Sequence, residues 1–235
     1  MTGSHEAPVA AMKRPRGRPR RLPQTVIGDP REQILQAAAR LFTTKGYSGT
    51  GTREIATAVG LEQPSLFHWF RRKEDIFAEL LDRTVSPALA ASDLLDACSS
   101  NEQRLYVLAR RDVGNLVAGA VNLAALQLLP EARAPEFAQF WVRREELRQR
   151  YCDLIKGLAD EKRLVLGDTE LATSVVFGLV ESVITWYERG GELSRDSVAD
   201  SVALSVVRSC VVRPSSERTL RSAAQAVLPE LSPPG

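Results

Sequence analysis

The sequence predicts an all-α fold, in which a small three-helix head precedes a larger helical body. Most of the chain carries apolar side chains at the 3.6-residue period of an amphipathic helix, and we find no run with the two-residue alternation of a strand. The helical segments end at glycine or proline, which are the strongest local signals for a break. Together these observations predict the fold class.

The composition is that of an ordinary globular protein. The chain has 235 residues, of which 26% are charged and 44% are hydrophobic. No apolar run reaches the roughly 20 residues that a membrane helix needs, and no apolar stretch follows the basic N-terminal residues as it would in a secretory signal. The three cysteines lie far apart without a CxxC pair, which is typical of reduced thiols rather than of a metal site. We therefore expect a soluble cytoplasmic protein with no cofactor, no bound metal and no membrane contact.

Residues 1–28 are predicted to form a flexible basic arm. Six lysine and arginine residues fall between positions 13 and 21, and nearby prolines oppose helix formation. The formal net charge of the whole chain is +2, so the chain without these six residues carries −4. A concentrated block of like charge is typical of an interaction tail.

The head is predicted to begin with a helix that has both ends marked. Asp29 is placed as the N-cap, and Pro30 lies in the first turn, where its missing N–H does no harm. Apolar side chains share one face of this helix up to about Lys45, and Gly46 ends it. Together with the two helices that follow, it forms a predicted head of residues 29–75.

The next two helices are short and close together. Thr50 is the expected cap of a second helix that ends at Gly60, and a third helix follows at about 63–70. Two short helices joined by a tight, glycine-containing turn are typical of a helix-turn-helix, whose second helix enters the major groove of DNA. A fourth helix is predicted at 73–85, ended by Pro87.

The rest of the chain is predicted to be a helical body at 76–213, followed by a C-terminal helix and tail at 214–235. Proline and glycine residues separate its amphipathic segments. The predicted helices of the body and tail cover residues 101–111, 112–129, 135–162, 168–190, 195–212 and 216–228.

A set of spaced residues in the head is shared with a known family. It comprises Arg31–Ala38, Leu41-Phe42, Gly46-Tyr47, Ile55-Ala56, Gly60-Leu61, Ser65–Phe70 and Lys73-Glu74. These residues resemble the DNA-binding domain of the tetracycline-repressor (TetR) family of bacterial transcription regulators. The resemblance implies a homodimer that represses transcription from a palindromic operator in double-stranded DNA and leaves it when a small effector binds.

The resemblance also implies a set of DNA contacts. The groove-facing positions are Gln63, Pro64, Ser65, Phe67 and His68, and the positions placed for phosphates are Thr50, Thr52, Arg53 and Lys73. Gln63 has the donor and the acceptor needed to pair with adenine, whereas Phe67 lacks the hydroxyl of the tyrosine that is usual there. Trp69 either packs in the core or lies along the DNA backbone, and we favour the contact. Leu66 and Phe70 are expected in the core.

The arm contains Pro15-Arg16-Gly17-Arg18-Pro19, which is similar to the core of an AT-hook. The negative potential of a narrow A·T minor groove attracts arginine, and the glycine lets the backbone approach the groove floor. Arg16, Gly17, Arg18 and Arg20 are therefore predicted DNA contacts. The alternative is a basic tail that adds salt-sensitive affinity without sequence preference.

Dimerisation and effector binding are assigned to the body by the resemblance. Segments 168–189 and 196–211 are the predicted dimer helices; the alternative is that both are buried within one subunit. The predicted effector contacts are Leu105, Leu108, Leu116, Val117, Ala120, Leu123, Phe137, Phe140, Trp141, Arg144, Phe177, Val180 and Glu181. Each of them is also a candidate for the plain core. Their apolar character predicts a largely hydrophobic effector, and residues 185–194 resemble a subgroup that regulates lipid, acyl-CoA or steroid catabolism.

Two other functions are left open by the sequence. An architectural protein would bind A·T-rich DNA through its arm, without a palindrome, and recruit a partner with its body. An enzyme would need a catalytic or metal-binding set, and with two histidines and no ligand spacing we identify no catalytic residue. For a regulator, we expect the effector to favour a head separation other than the roughly 34 Å between successive major grooves, with the fourth helix as the lever.

Overall fold

The computed structural model describes residues 29–92 and 94–228. Within these ranges the regular elements are helices, which confirms the predicted all-α fold. The head contains α1 (Pro30–Lys45), α2 (Thr52–Ala58) and α3 (Gln63–Leu66), and α4 (Lys73–Asp82) leads from the head into the body. The body contains α5 (Ser86–Ser92), α6 (Asn101–Leu116), α7 (Ala138–Asp160), α8 (Thr169–Glu181), α9 (Val183–Trp186), α10 (Arg195–Cys210) and α11 (Glu217–Val227). Short 3₁₀ turns lie at Leu95–Ala97, Leu123–Leu128, Pro130–Arg133 and Pro135–Phe137.

Helix α1 begins and ends where the sequence predicts. The Asp29 carboxylate accepts a hydrogen bond from the Arg31 amide at 2.9 Å, and Pro30 occupies the first turn. Gly46 ends the helix with a φ of 77°, in the left-handed region that glycine adopts without strain. The apolar face of α1 is buried in the head core.

The second and third helices differ from the prediction at their boundaries. Thr50 is not the cap of α2, because its hydroxyl donates back to the Gly46 carbonyl at 2.9 Å and its side chain is buried. Gly51 takes the N-cap position instead. Helix α3 is a single turn, and residues 67–69 continue as hydrogen-bonded turns that direct Phe70 into the core.

The fourth helix is also shorter than predicted. It ends at Asp82, and the Thr84 hydroxyl donates to the Leu81 carbonyl at 2.6 Å just beyond that end. Pro87 lies in the first turn of α5, where a proline needs no amide hydrogen, and so it starts a helix rather than ending one.

The largest difference lies between α6 and α7. The predicted break near 111–112 is absent, since α6 continues to Leu116, and the chain turns at Gly119 with a φ of 76°. The predicted helix over 112–129 is therefore wrong in its second half. That half, together with the following residues, forms three consecutive 3₁₀ turns over 123–137, which we call the 3₁₀ strap. Pro130 and Pro135 begin its second and third turns.

The rest of the body follows the prediction with one interruption. The predicted helix over 168–190 is split into α8 and the single-turn α9, whereas the helices predicted over 195–212 and 216–228 are confirmed as α10 and α11. Both α10 and α11 pack against α6. The described helices all fall short, in length or in apolar character, of what a bilayer crossing requires.

A buried acid fixes the connection that leads into α11. Glu102, on α6, is 1% exposed and pairs with Arg163 at 2.9 Å. Its carboxylate also accepts hydrogen bonds from the amide and the hydroxyl of Ser215, at 2.6 and 2.9 Å. Three charge-assisted bonds satisfy this buried carboxylate, and they hold the C-terminal helix on the body.

Candidate DNA-binding surface and effector cleft

The two short helices of the head present an outer surface. Gly60, with a φ of 72°, makes the turn between α2 and α3, and the Leu61 amide bonds back to the Ala56 carbonyl at 2.9 Å. Leu66 and Phe70 are buried, as predicted for the core. Between them, two large apolar side chains point outward.

These outward side chains belong to the predicted DNA contacts. Phe67 and Trp69 are 42% and 44% exposed, although both are apolar. Arg53, Pro64 and His68 are also exposed, and Thr52, Gln63 and Ser65 are partly exposed. A cluster of large exposed apolar side chains is typical of a binding surface. We call this set, together with the exposed Arg71 and Arg72, the α2–α3 surface.

One hydrogen bond joins the two helices at this surface. The Gln63 side-chain amide donates from Nε2 to the Thr52 hydroxyl at 2.8 Å. These are the first residues of α3 and α2, so the bond spans the helix-turn-helix at the end that would face DNA.

Two of the predicted phosphate contacts are directed inward. Thr50 is 1% exposed and bonded to Gly46, so its side chain is absent from the α2–α3 surface. The Lys73 ammonium donates to the carbonyls of Tyr47 and Thr50, at 3.0 Å each, and lies 4.0 Å from the centre of the Tyr47 ring. Lys73 thus ties α4 to the α1–α2 turn. Arg16, Gly17, Arg18 and Arg20 lie outside the described residues.

The body contains a small inner cavity between α6, α7 and α8. Its volume is about 20 Å³, which is room for one water molecule. It is lined by Thr84, Val85, Asp112, Leu116, Gln127, Phe140, Arg144, Leu147, Phe177 and Glu181. Polar and apolar side chains therefore share this space about equally.

An open cleft of about 290 Å³ lies beside the inner cavity. The two spaces share Gln127, Arg144 and Glu181, which form the partition between them. The remaining cleft residues are Leu128, Arg133, Trp141, Gly178, Ser182, Ile184 and Thr185. The size of the cleft is close to the lower end of the range for small-molecule sites.

An ion pair forms most of the partition. Arg144 on α7 binds the Glu181 carboxylate with two hydrogen bonds, one of them 2.8 Å long. Its guanidinium also lies 4.9 Å from the centre of the Phe177 ring. On the cleft side, the Arg133 guanidinium stacks 3.6 Å from the centre of the Trp141 ring. Cationic and aromatic groups therefore alternate along the wall.

The inner cavity contains an acid that is not among the predicted effector contacts. Asp112 on α6 is 2% exposed, and the Tyr151 hydroxyl donates to it at 3.0 Å. Burial raises the pKa of Asp112 to about 7, because ionisation in an apolar environment is costly. The available signal was the helical period of α6, which places Asp112 on the same face as the buried Leu105, Leu108 and Leu116.

The predicted effector contacts fall into two groups. Leu116, Phe140, Trp141, Arg144, Phe177 and Glu181 line the inner cavity or the cleft. The others, Leu105, Leu108, Val117, Ala120, Leu123, Phe137 and Val180, line neither space. Leu105, Leu108, Val117 and Val180 are buried in the core, as the alternative interpretation had it, and Ala120 is exposed in the turn after α6. Phe137 packs on α4 beside the head, with its ring centre 4.9 Å from that of Phe77.

An apolar face of α8 and α9 is exposed on the single chain. Leu171, Val175 and Trp186 are 55%, 38% and 45% exposed. Gly178 is aligned with them, and a Cβ added at Gly178 meets no heavy atom within 4 Å. This face, which we call the α8 face, lies in the first of the two predicted dimer helices and borders the cleft at Gly178 and Ser182.

Comparison with known proteins agrees with this architecture. The model for bacterial regulatory proteins of the tetR family matches residues 34–80, and the model for the tetracyclin repressor-like C-terminal domain matches residues 99–210. The KstR2 transcriptional repressor of Mycolicibacterium smegmatis is 26% identical over 174 residues, covering 72% of this chain and 84% of its own. The fatty acid metabolism regulator protein of Bacillus subtilis is 26% identical over 188 residues, covering 74% and 88%.

A solved structure extends the similarity over nearly the whole chain. The crystal structure of Mycobacterium smegmatis AmtR is 37% identical in sequence and superposes with a TM-score of 0.76, covering 91% of this chain and 100% of that one. Both the head and the body are thus matched, by family models and by a complete structure. The chain therefore belongs to the tetracycline-repressor family of bacterial transcriptional regulators.

Proposed function

We propose that the protein is a transcriptional repressor that binds a palindromic operator as a homodimer and leaves it when a small effector occupies the body. The observation that carries this proposal is the α2–α3 surface, where two aromatic side chains and several arginines are exposed around Gln63. In this proposal residues 1–28 form the arm, 29–75 the DNA-binding head, 76–213 the effector-binding and dimerisation body, and 214–235 the C-terminal helix and tail. The protein would act on the bacterial nucleoid in the cytoplasm.

The DNA contacts proposed for the head are those on the α2–α3 surface. Gln63, Pro64, Ser65, Phe67 and His68 would face the major groove, and Trp69, Thr52 and Arg53 would lie along the backbone. Phe67 supports a contact with a thymine methyl group, because its exposed ring has no polar atom to offer. The inward position of Thr50 and Lys73 supports a role in shaping the head rather than in binding phosphate.

Dimerisation is proposed to use the α8 face, packed against the same face of a second copy. Its exposed leucine, valine and tryptophan would be removed from water, and Gly178 would allow the two helices to approach closely. A two-fold dimer presents two heads, and two half-sites are what give such proteins tight and specific operator binding.

The effector is proposed to enter the cleft and extend toward the inner cavity. The apolar part of the two linings, which includes Phe140, Trp141, Phe177 and Ile184, supports a small, largely hydrophobic molecule, and Arg133 and Arg144 support a polar or anionic group on it. A relative named as a regulator of fatty acid metabolism supports a lipid or acyl-type ligand. Because the inner cavity holds only about 20 Å³, binding there requires Arg144 and Glu181 to move apart.

Selecting bound sequences from a random DNA pool, followed by footprinting, tests the proposal. We expect two inverted half-sites, and we expect Leu171→Glu on the α8 face to give a monomer that binds the selected operator weakly. Val142→Glu is the matched control, because Val142 is 60% exposed on α7 and lies off that face. A footprint on A·T-rich DNA without a palindrome would favour the architectural alternative, and dimeric Leu171→Glu protein would refute the proposed interface.

A further inference from the structure

We propose that Thr52 is a positioning residue that couples a phosphate contact to the recognition of a base by Gln63. The proposal rests on the DNA-binding function proposed above. Its starting point is the hydrogen bond from Gln63 Nε2 to Thr52 Oγ1, 2.8 Å long, between the first residues of α3 and α2.

The hydroxyl of Thr52 has one hydrogen left to donate. A threonine hydroxyl carries one hydrogen and two lone pairs, and here one lone pair accepts the Gln63 amide. Within residues 29–92 and 94–228, this is the one hydrogen bond that Thr52 Oγ1 makes. Thr52 is partly exposed beside Arg53, so its hydroxyl hydrogen can be donated to an acceptor on the DNA side, and a phosphate oxygen is such an acceptor.

The same bond fixes what Gln63 presents to a base. A glutamine amide has two N–H donors and one oxygen, and its ends exchange places when the amide rotates by half a turn. With one N–H held by Thr52, Gln63 presents the other N–H and the Oε1 acceptor. This pair is complementary to the N7 acceptor and the N6 amine of adenine.

The phosphate contact of Thr52 and the base recognition by Gln63 support one another. A hydroxyl that donates to a phosphate is polarised into a better acceptor, which strengthens the bond from Gln63. A phosphate contact normally holds the protein on DNA without carrying sequence information. Thr52 would differ, because removing its hydroxyl would also release the amide that recognises adenine.

The test measures base discrimination rather than affinity alone. Binding by Gln63→Ala first identifies the base pair at which this variant no longer prefers one base. Dissociation constants are then determined for the selected operator and for operators changed at that base pair. We expect Gln63→Ala to lower discrimination at that base pair by roughly 5- to 150-fold. We expect Thr52→Val to lower the same discrimination by about 2- to 12-fold, while Thr52→Ser, which keeps the hydroxyl, retains it.

Further variants separate positioning from a simple phosphate contact. The double variant Thr52→Val/Gln63→Ala should discriminate no worse than Gln63→Ala alone, because the bond acts through Gln63. Thr57→Val is the matched control on α2, since in the described part of the chain the Thr57 hydroxyl bonds only the Arg53 carbonyl of its own helix, at 2.9 Å. Melting temperatures confirm that each variant is folded.

The outcomes distinguish this proposal from the DNA-binding function on which it rests. If Thr52→Val weakens binding to all operators equally, or if the base opposite Gln63 is not adenine, the positioning role is overturned and the repressor function stands. If Gln63→Ala changes neither affinity nor base preference, the proposed DNA-binding surface itself fails.

Discussion

At the scale of single residues, Asp112 is the most unusual group in the body. Its carboxyl is almost fully buried, and Tyr151 is its single hydrogen-bond donor among the described residues. Glu102 on the same helix is equally buried but pairs with an arginine and two further donors. Glu102 is therefore compensated in its ionised form, whereas Asp112 is stable mainly when it holds a proton.

The stability of the protein should depend on pH through Asp112. Its pKa is about 7 in the folded chain and near 3.8 when unfolded, so the folded form keeps a proton that the unfolded form loses between these values. The free energy of unfolding therefore falls by on the order of 4 kcal/mol in total as pH rises from about 4 to 7, and it is level above that. Asp112→Asn keeps an acceptor for Tyr151 and removes this pH dependence.

Urea unfolding at pH 5 and pH 8 measures the effect. We expect the wild-type chain to lose stability relative to Asp112→Asn between the two pH values. Asp153→Asn changes an exposed residue on α7, and its change in unfolding free energy between the two pH values should match that of the wild type. Parallel curves for all three proteins would show that Asp112 does not hold a proton in the fold.

At the scale of elements, the 3₁₀ strap connects the cleft to the head. Gln127 and Arg133 line the cleft on one side of the strap. On the other side, the strap packs on α1 and α4, and the Glu131 carboxylate accepts a hydrogen bond from Ser48 in the α1–α2 turn. We expect an effector that moves the strap to displace the head directly, in addition to any motion of α4.

Phe137 at the end of the strap should carry much of this head–body contact. It is 3% exposed, and its ring centre lies 4.9 Å from that of Phe77 and 6.0 Å from that of Tyr47. Phe137→Ala should cost about 3–5 kcal/mol of unfolding free energy, because it leaves a cavity between head and body. Chemical denaturation measures this cost.

The control makes the same substitution at an exposed ring. Phe67→Ala on the α2–α3 surface should change unfolding free energy by no more than about 0.5 kcal/mol while weakening operator binding. The opposite pattern, with Phe67→Ala unfolding the chain or Phe137→Ala leaving it unchanged, would mean that the two rings have been assigned to the wrong environments.

Elements with local signals were predictable from the sequence, and the strap was not. Asp29 and Gly46 mark α1 by capping chemistry, which acts within a few residues. The strap has the apolar pattern of a helix, but Pro130 and Pro135 and its packing between head and body make it a series of 3₁₀ turns. Such packing is set by distant parts of the chain, which local periodicity does not encode.

The candidate sites divide in the same way. The α2–α3 surface was predictable, because burying Leu66 and Phe70 leaves the intervening side chains outside. The cleft draws on several separate elements, and Asp112, Gln127 and Arg133 enter it or the adjoining inner cavity through tertiary packing. Thr50 was misassigned because both threonine and glycine are accepted at an N-cap, and the adjacent Gly51 takes that position.

At the scale of the whole molecule, positive charge is concentrated near one end. The chain carries +2 in total and −4 without the six basic residues at positions 13–21, which lie outside the described residues. An acidic body is repelled by DNA, so the arm and the head would supply the electrostatic part of binding. A dimer would bring two such arms.

Deleting residues 1–22 should lower operator affinity and its dependence on salt. Removal of one phosphate-binding side chain should reduce the slope of log K against log salt concentration by about 0.9. Fluorescence anisotropy over a range of salt concentrations measures both quantities, and replacing the six basic residues with glutamine provides the length-matched control. Unchanged affinity and slope in both variants would exclude a role for the arm in binding.

The three tryptophans of the chain fall on three different surfaces. Trp69 is on the α2–α3 surface, Trp141 lines the cleft with its indole N–H bonded to the Ala132 carbonyl at 2.7 Å, and Trp186 is on the α8 face. Each indole is therefore an intrinsic fluorophore for one proposed event: operator binding, effector binding or subunit association. Phenylalanine at two of the three positions would isolate the emission of the third indole. A titration could then follow each of these events separately without an added label.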